Sequence, residues 1–278
     1  MNPGDDAYFS KILDLVHRIK GFDGQNYKVN YVKRRVAVRM RATKSGTYRD
    51  YFQFLSQNQE EATHLLDRLT IHVTEFFRDP EIYEALREKA IPELMKSALD
   101  KRIRVWSAAC STGEEPYSLA FLLGEVLAQD PDFTFEILAT DVDAASLKTA
   151  RWGEYPGESV KKLSKKTLGK MFRVEGTRFK VLPSLQKRVR FAQLDLLGAW
   201  PGDFAAFDLI LCRNLLIYLT APQQQKLYEG FSRVLNPGGF LVLGLTETLL
   251  GPARDLYRCV DIRSRFYRLA AHSAQARG

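Results

Sequence analysis

The sequence predicts an α/β protein: a mostly parallel sheet with helices on both faces, preceded by a small all-α domain and interrupted by a small antiparallel β insertion. Three observations predict it. From residue 7 to about 70, apolar residues recur at helical spacing. Further on, short apolar runs alternate with helical segments, the pattern of a parallel sheet with crossovers. Between residues 154 and 188 that alternation breaks around two short β-rich runs.

YFSKILDLVHRIKG opens the helical domain. Residues 28–44, KVNYVKRRVAVRMRATK, carry Lys28, Lys33, Arg34, Arg35, Arg39, Arg41 and Lys44 without an acid. Val32, Val36 and Met40 form one stripe of an amphipathic helix, with Val29 a turn earlier, and the other faces are cationic. Such a face is either plain solvated surface or a docking surface for an acidic partner. No aromatic residue interleaves with the charges of residues 33–44, which disfavours stacking on single-stranded nucleic acid. TYRDYFQFLSQ and EEATHLLDRLTIH complete the helices. A linking helix follows over DPEIYEALREKAIPELMKSAL, with Asp79 as expected N-cap and Pro80 in its first turn. The expected division is a helical domain over 1–78 and an α/β domain over 79–278, with 154–188 inserted into the latter.

In the α/β domain IRVWSA, FEILAT, VRFAQLDL, FDLILC and FLVLGL read as strands, and YSLAFLLGEVLA, AASLKTARWG and PQQQKLYEGFSRVL as helices. Thr220 and Gln223 form an expected capping box, and NPGG (236–239) an expected turn. In the insertion, MFRV and RFKVL flank Glu175, Gly176 and Thr177, a β-hairpin signature. From Ala271 the chain reads as a loose tail.

Composition excludes several classes. No run of 18 apolar residues occurs and the amino terminus is polar and acidic, so neither membrane insertion nor a signal peptide is expected, and the location expected is cytoplasmic. Cys110, Cys212 and Cys259 have no C-x-x-C spacing and the four histidines are scattered; reduced thiols and no metal are expected.

The most informative stretch is IRVWSAACSTGEEPYSLAF, residues 103–121. A strand runs into a small-residue turn with two acids and then a helix, which builds a nucleotide-sized crevice at the carboxyl end of the first strand. Asp141, at the tip of the next strand, is placed to accept hydrogen bonds from ribose hydroxyls. Gly113 is the turn's single glycine, and Glu114 and Glu115 would repel phosphate. An adenosine cofactor with cationic groups fits better, and S-adenosylmethionine carries an ammonium and a sulfonium.

IHVTEFFRDP (71–80), VWSAACSTGEEPYSLA (105–120), LATDVD (138–143) and LCRNLLIYL (211–219), in this order, resemble the CheR-type chemoreceptor glutamate O-methyltransferases. The resemblance implies a Rossmann-like S-adenosylmethionine-dependent methyltransferase sheet. It places Thr74 and Arg78 over the cofactor, Glu115 at its ammonium, Asp141 at the ribose, Asp195 and Leu196 at the adenine, and Arg213 and Asn214 along the site. His72 stands where the family usually has Asn, and Asp195 where Asn is common; both still offer polar atoms to the cofactor. Tyr218 would lie beside the methyl group.

The activity implied is methyl transfer from S-adenosylmethionine to glutamate carboxylates on the cytoplasmic helical bundle of chemoreceptors, with S-adenosylhomocysteine as product. A glutamate has a reference pKa of about 4.3, so it is already nucleophilic at neutral pH and needs no general base. Arg78 and Tyr218 would hold that carboxylate, and Lys33, Arg34, Arg35, Arg39 and Arg41 would dock the acidic bundle. Some relatives grip a receptor carboxy-terminal pentapeptide with this hairpin; the short V-E-G-T-R turn implies independence of it. Two alternatives remain. A nucleic-acid methyltransferase would use the same fold, but no N-P-P-Y motif is present and no nucleic-acid partner is expected. A non-catalytic cofactor-binding signalling module would not need Arg78, Glu115, Asp141 and Asn214 together.

Overall fold

The computed structural model describes residues 3–70, 73–202, 204 and 206–270. His72 and the tail from Ala271 lie outside the described residues. The chain forms two compact units, Met1–Ile71 with Tyr218–Gln223, and His72–Ile217 with Gln224–Gly278. The helical unit therefore ends earlier than the expected boundary at 78 and recruits a short segment from far along the chain.

The helical unit contains α1 (Pro3–Lys20), α2 (Val29–Ala42), α3 (Tyr48–Gln57) and α4 (Gln59–Leu69). Thr47 and Asp50 cap α3 reciprocally, and Gly21, at φ +71°, lets the chain leave α1 in the left-handed region. Ile12, Val16, Val32, Val36, Leu55 and Leu65 fill the core, with Met40 packed against it. Val29 is 54% exposed and does not join the stripe expected for it, because it sits at the first turn of α2. Arg39 faces inward: its Nε and Nη2 donate to the two oxygens of Glu61 at 2.9 and 2.7 Å, and Glu61, only 4% exposed, also accepts from Tyr51 Oη at 2.7 Å. Lys33 pairs with Asp6 at 2.7 Å, and Arg34 and Arg41 are exposed.

The recruited segment joins this unit by backbone bonds. Lys28 N–H donates to the Tyr218 carbonyl at 2.8 Å and Thr220 N–H to that of Asn26 at 3.0 Å. The Thr220–Gln223 capping box is therefore not made: the N–H it needs is given to Asn26, and Gln223 Oε1 is buried without a partner.

In the second unit the linking helix is interrupted: α5 (Pro80–Ala85) passes through a π turn over Leu86–Ala90 into α6 (Ile91–Ser97). Pro92, which lacks an N–H, accounts for the widened turn. Next come β1 (Arg102–Ala108), α7 (Glu114–Leu127), β2 (Thr134–Asp141) and α8 (Ala144–Trp152). The insertion holds β3 (Glu154–Pro156), α9 (Gly157–Val160), α10 (Lys165–Met171), β4 (Phe172–Glu175), β5 (Arg178–Val181) and α11 (Pro183–Gln186). Its hairpin, β4 and β5, turns on Gly176 at φ +61°, and β3 adds a third antiparallel strand on β5. The chain then forms β6 (Val189–Gln193), β7 (Phe207–Cys212), α12 (Ala221–Val234), β8 (Leu235–Leu243), β9 (Tyr257–Asp261) and β10 (Phe266–Leu269).

The main sheet has the order β6-β2-β1-β7-β8-β10-β9. Its first five strands are parallel, and β10 and β9 extend the edge as an antiparallel pair. Trp106 of β1 anchors one face, donating from Nε1 to Thr140 Oγ1 at 2.9 Å and meeting Trp200, Phe204 and Phe231 edge-on. NPGG is not a turn before β8 but a bulge inside it. Phe207 pairs with Leu235 and Leu209 with Phe240, so residues 236–239 loop out of the ladder, and Asn236 Nδ2 fastens the loop to Asp208 Oδ1 at 2.7 Å. No described helix is long and apolar enough to cross a membrane.

Candidate active site

From β1 the chain moves outward through β2 to β6, and from β7 in the opposite direction to β8, so β1 and β7 flank the topological switch point. Loops leaving their carboxyl ends diverge and open a crevice. Ala108 lies opposite both Thr140 and Cys212, so the residues that follow, Ala109–Gly113, Asp141 and Arg213, emerge side by side.

The backbone here is unusual. Phe77, Asp79, Ala109, Ser111 and Asn214 all have φ between +49° and +65°, the left-handed region that non-glycine residues avoid. Each costs of order 1 kcal/mol and persists only where neighbouring bonds enforce it. Asp141 enforces one of them: its Oδ2 accepts from Ser111 N–H at 2.7 Å and its Oδ1 from Asp143 N–H at 2.9 Å. Gly113 enters α7 at φ +96°, where a Cβ would lie 2.8 Å from that of Ala150.

The two acids after Gly113 diverge. Glu114 is buried and accepts from Thr112 Oγ1 at 2.6 Å; burial pushes its carboxyl above the usual range, and the Thr112 bond opposes the shift. Glu115 turns towards the strand tips, where Oε1 accepts from Ser107 Oγ at 2.7 Å and Oε2 from Arg213 Nη1 at 3.0 Å. The Arg213 side chain is 2% exposed, and its Nη2 also donates to Asp79 Oδ2 and to the Arg78 carbonyl, each at 2.7 Å. Burial alone would lower the pKa of Arg213, but Glu115, Tyr83 and Asp79 together hold it above the ordinary arginine value.

Asp79 departs from its expected role. It occupies the N-cap position of α5, yet its side chain makes no capping bond and goes to Arg213 instead. The buried charge on Arg213 outcompetes the helix N–H groups for the carboxylate, and Ile82 N–H donates to the Asp79 carbonyl instead. The chain Ser107–Glu115–Arg213–Asp79 thus ties the T-x-F-F-R turn to β1 and β7. Phe76 locks the same turn from the other side, meeting Tyr155 and Phe172 edge-on at 4.9 and 5.1 Å, while Phe77 N–H donates to Ser118 Oγ at 3.0 Å. Thr74 and Arg78 are half-buried here, and Arg78 Nη1 donates to the Val73 carbonyl at 2.7 Å.

Asp195 is exposed and accepts from Leu197 N–H at 2.9 Å, while Leu196 is buried. Their approach to Asp141 is fixed by the β2–β6 ladder and by Leu194 N–H, which donates to the Asp141 carbonyl at 3.0 Å. Asn214 follows Arg213 and gives its N–H to Glu247 at 2.9 Å. Glu247 and Asp79 are the site residues that sequence reasoning passed over. Asp79 reads as a cap in the sequence, and Glu247, in a loop beyond the last strand, carries no motif. Tyr218 belongs to the helical unit, where its ring lies 4.7 Å from that of Tyr31. Lys33, Arg34, Arg35, Arg39 and Arg41 lie in that unit too.

The charge pattern is acidic around one buried cation. Burial, and then the carboxylates of Asp141, Glu115 and Glu114, push the Cys110 thiol well up; burial, Glu247 and Glu115 do the same to Cys212. Asp141 and Glu115 thus stand at the tips of β1 and β2, while Glu114 turns to Thr112. Such a mouth opposes a pyrophosphate and suits a ligand with cationic groups and ribose hydroxyls, so the residues present fit S-adenosylmethionine.

Residues 7–70 match the all-alpha domain of CheR methyltransferases and residues 72–266 their SAM binding domain. The chain is 35% identical over 263 residues to a chemotaxis protein methyltransferase of Listeria monocytogenes, covering 95% of this chain and 96% of that one. It is 33% identical over 249 residues to chemotaxis protein methyltransferase 2 of Vibrio cholerae, covering 88% and 86%. S-adenosylmethionine is accordingly the cofactor, and the chain belongs to the CheR methyltransferase family.

Proposed function

We propose that this methyltransferase esterifies glutamate side chains on the cytoplasmic helical bundle of chemoreceptors. The match to chemotaxis protein methyltransferases over 95% of the chain supports the acceptor class, and the electrostatics of the site agree with it. Burial and neighbouring carboxylates hold Cys110 and Cys212 as neutral thiols, so neither serves as nucleophile or base. A glutamate, ionised at neutral pH, needs neither.

Within the site, Asp141 orients the ribose and Glu115 the ammonium, with Asp195 and Leu196 beside the adenine. Arg213 keeps Glu115 and the Arg78 segment in register, and Asn214 lines the crevice with Thr74. Arg78 holds the incoming carboxylate. When bound, S-adenosylmethionine supplies an electrophilic methyl on its sulfonium. The chain's own contribution is in-line positioning and exclusion of water from the attacking oxygen, for which positioning alone supplies up to about 7–11 kcal/mol.

Arg34 and Arg41, exposed on α2, are the best placed to meet an acidic bundle, with Lys33 and Arg35 beside them. Arg39 contributes to this face only indirectly, since Glu61 engages it. The four-residue β4 and its tight turn support action without a receptor tail.

Transfer of labelled methyl to a purified receptor cytoplasmic fragment tests the proposal. Base-labile label that disappears in receptor Glu→Ala variants is expected. Label stable to base, or none at all with cofactor bound, would refute it. Arg78→Ala with unchanged turnover would refute that residue's role.

A further inference from the structure

Glu247 is 3% exposed, and burial and backbone donors are the leading influences on its carboxyl. Its Oε2 accepts from Gly244 N–H at 2.7 Å and Asn214 N–H at 2.9 Å, and its Oε1 from Ile217 N–H at 3.3 Å. Burial pushes its carboxyl up, while backbone donors from Asn214, Gly244, Ile217 and Leu216 pull it back. A carboxylate taken out of water is costly unless its acceptors are filled. Here backbone amides from two separate segments fill them.

Those segments are the loops that leave β7 and β8. The turn after β8 closes on itself, Glu247 N–H donating to the Gly244 carbonyl at 2.8 Å, and so aims its own side chain back at the β7 loop. Residue 244 has no room for a side chain: a Cβ there would lie 2.7 Å from Glu247 Oε2 and 2.9 Å from Asn214 Nδ2. Asn214 itself is left-handed, at φ +60°. A non-glycine residue holds that conformation when its N–H is captured, as Ser111 is by Asp141 at the tip of the neighbouring strand.

We propose that Glu247 is a positioning residue for cofactor binding: its carboxylate fixes the backbone of Asn214 and thereby the loop from Arg213 to Ile217. This rests on the reading of Asn214 as a cofactor-lining residue. Glutamine at 247 keeps one acceptor oxygen but turns an NH2 group towards backbone N–H donors, so the captured segment is released.

Calorimetric titration of S-adenosylhomocysteine into wild type, Glu247→Gln and Asn214→Ala tests the inference, with folding monitored by circular dichroism. Both variants are expected to bind about tenfold more weakly, and in Glu247→Gln the KM for S-adenosylmethionine rises more than kcat falls. Weakened Asn214→Ala beside a folded Glu247→Gln that binds like wild type overturns the inference and leaves the reading of Asn214 intact. Wild-type affinity in both overturns that reading and the inference with it. Should Glu247→Gln fail to fold, hydrogen exchange of the wild-type Asn214 and Gly244 amides decides: slower exchange with S-adenosylhomocysteine bound supports the proposal, and unchanged exchange overturns it.

Discussion

Arg213 Nη2 lies 2.7 Å from Asp79 Oδ2, joining the end of the parallel strand β7 to the residue just before α5. Asp79→Ala leaves Arg213 with Glu115 as its remaining carboxylate, and a lost hydrogen bond to a buried charge costs about 1.5–3 kcal/mol. Urea unfolding should show the midpoint falling with an unchanged m-value, and cofactor affinity should fall too, because the Arg78 carbonyl shares the same nitrogen.

Glu115→Gln removes one of two carboxylates facing Arg213 and, on the proposed reading, the partner of the cofactor's ammonium. S-Adenosylhomocysteine binding, measured by calorimetry, should weaken between about tenfold and a hundredfold, the range for charge-assisted bonds. Glu114→Gln should leave that affinity near wild type, since Glu114 points to Thr112.

Glu114 also gives a pH dependence with a definite sign. Burial raises its pKa in the folded protein. Below the unfolded value, about 4.3, both states hold the proton and the contribution to stability is fully present. As pH rises through the raised folded value, the unfolded chain has already released its proton and that stability is lost. Thermal melts of wild type and Glu114→Gln should therefore show the variant gaining on wild type from acid to neutral pH.

Arg39 and Arg41 separate structure from docking. Arg39→Ala strands the buried Glu61 and should cost about 3 kcal/mol of stability. Arg41→Glu should leave stability nearly unchanged, lower kcat/KM for a receptor fragment several-fold, and reduce its salt dependence. Equal melting temperatures for Arg39→Ala and wild type would contradict the inward ion pair.

Much of the fold was legible because the signals are local. Strand and helix alternation follows from periodicity, and the β1 turn with Asp141 follows from residue types at the tips of adjacent strands. What was not legible depends on partners distant in sequence. Asp79 reads as a cap because Pro80 follows it, and only the fold brings Arg213, far along the chain, to compete for its carboxylate. Arg39 reads as one more surface cation, since Glu61 is recognisable as its partner only once α2 and α4 pack. NPGG carries turn chemistry in either setting, and nothing nearby distinguishes a loop before a strand from a bulge within it. Glu247 gave no signal, because its partners are backbone amides and backbone amides have no sequence.

The recruitment of residues 218–223 into the helical unit bears on modularity. Truncation at residue 71 would remove the Tyr218 carbonyl that accepts from Lys28, the Asn26–Thr220 bond and the Tyr31–Tyr218 ring contact. Two regions that match separate family descriptions are therefore not separable by a single cut. A graft of the helical unit onto another methyltransferase would have to carry both pieces of chain, so the unit is inherited as an interleaved pair rather than exchanged as a cassette.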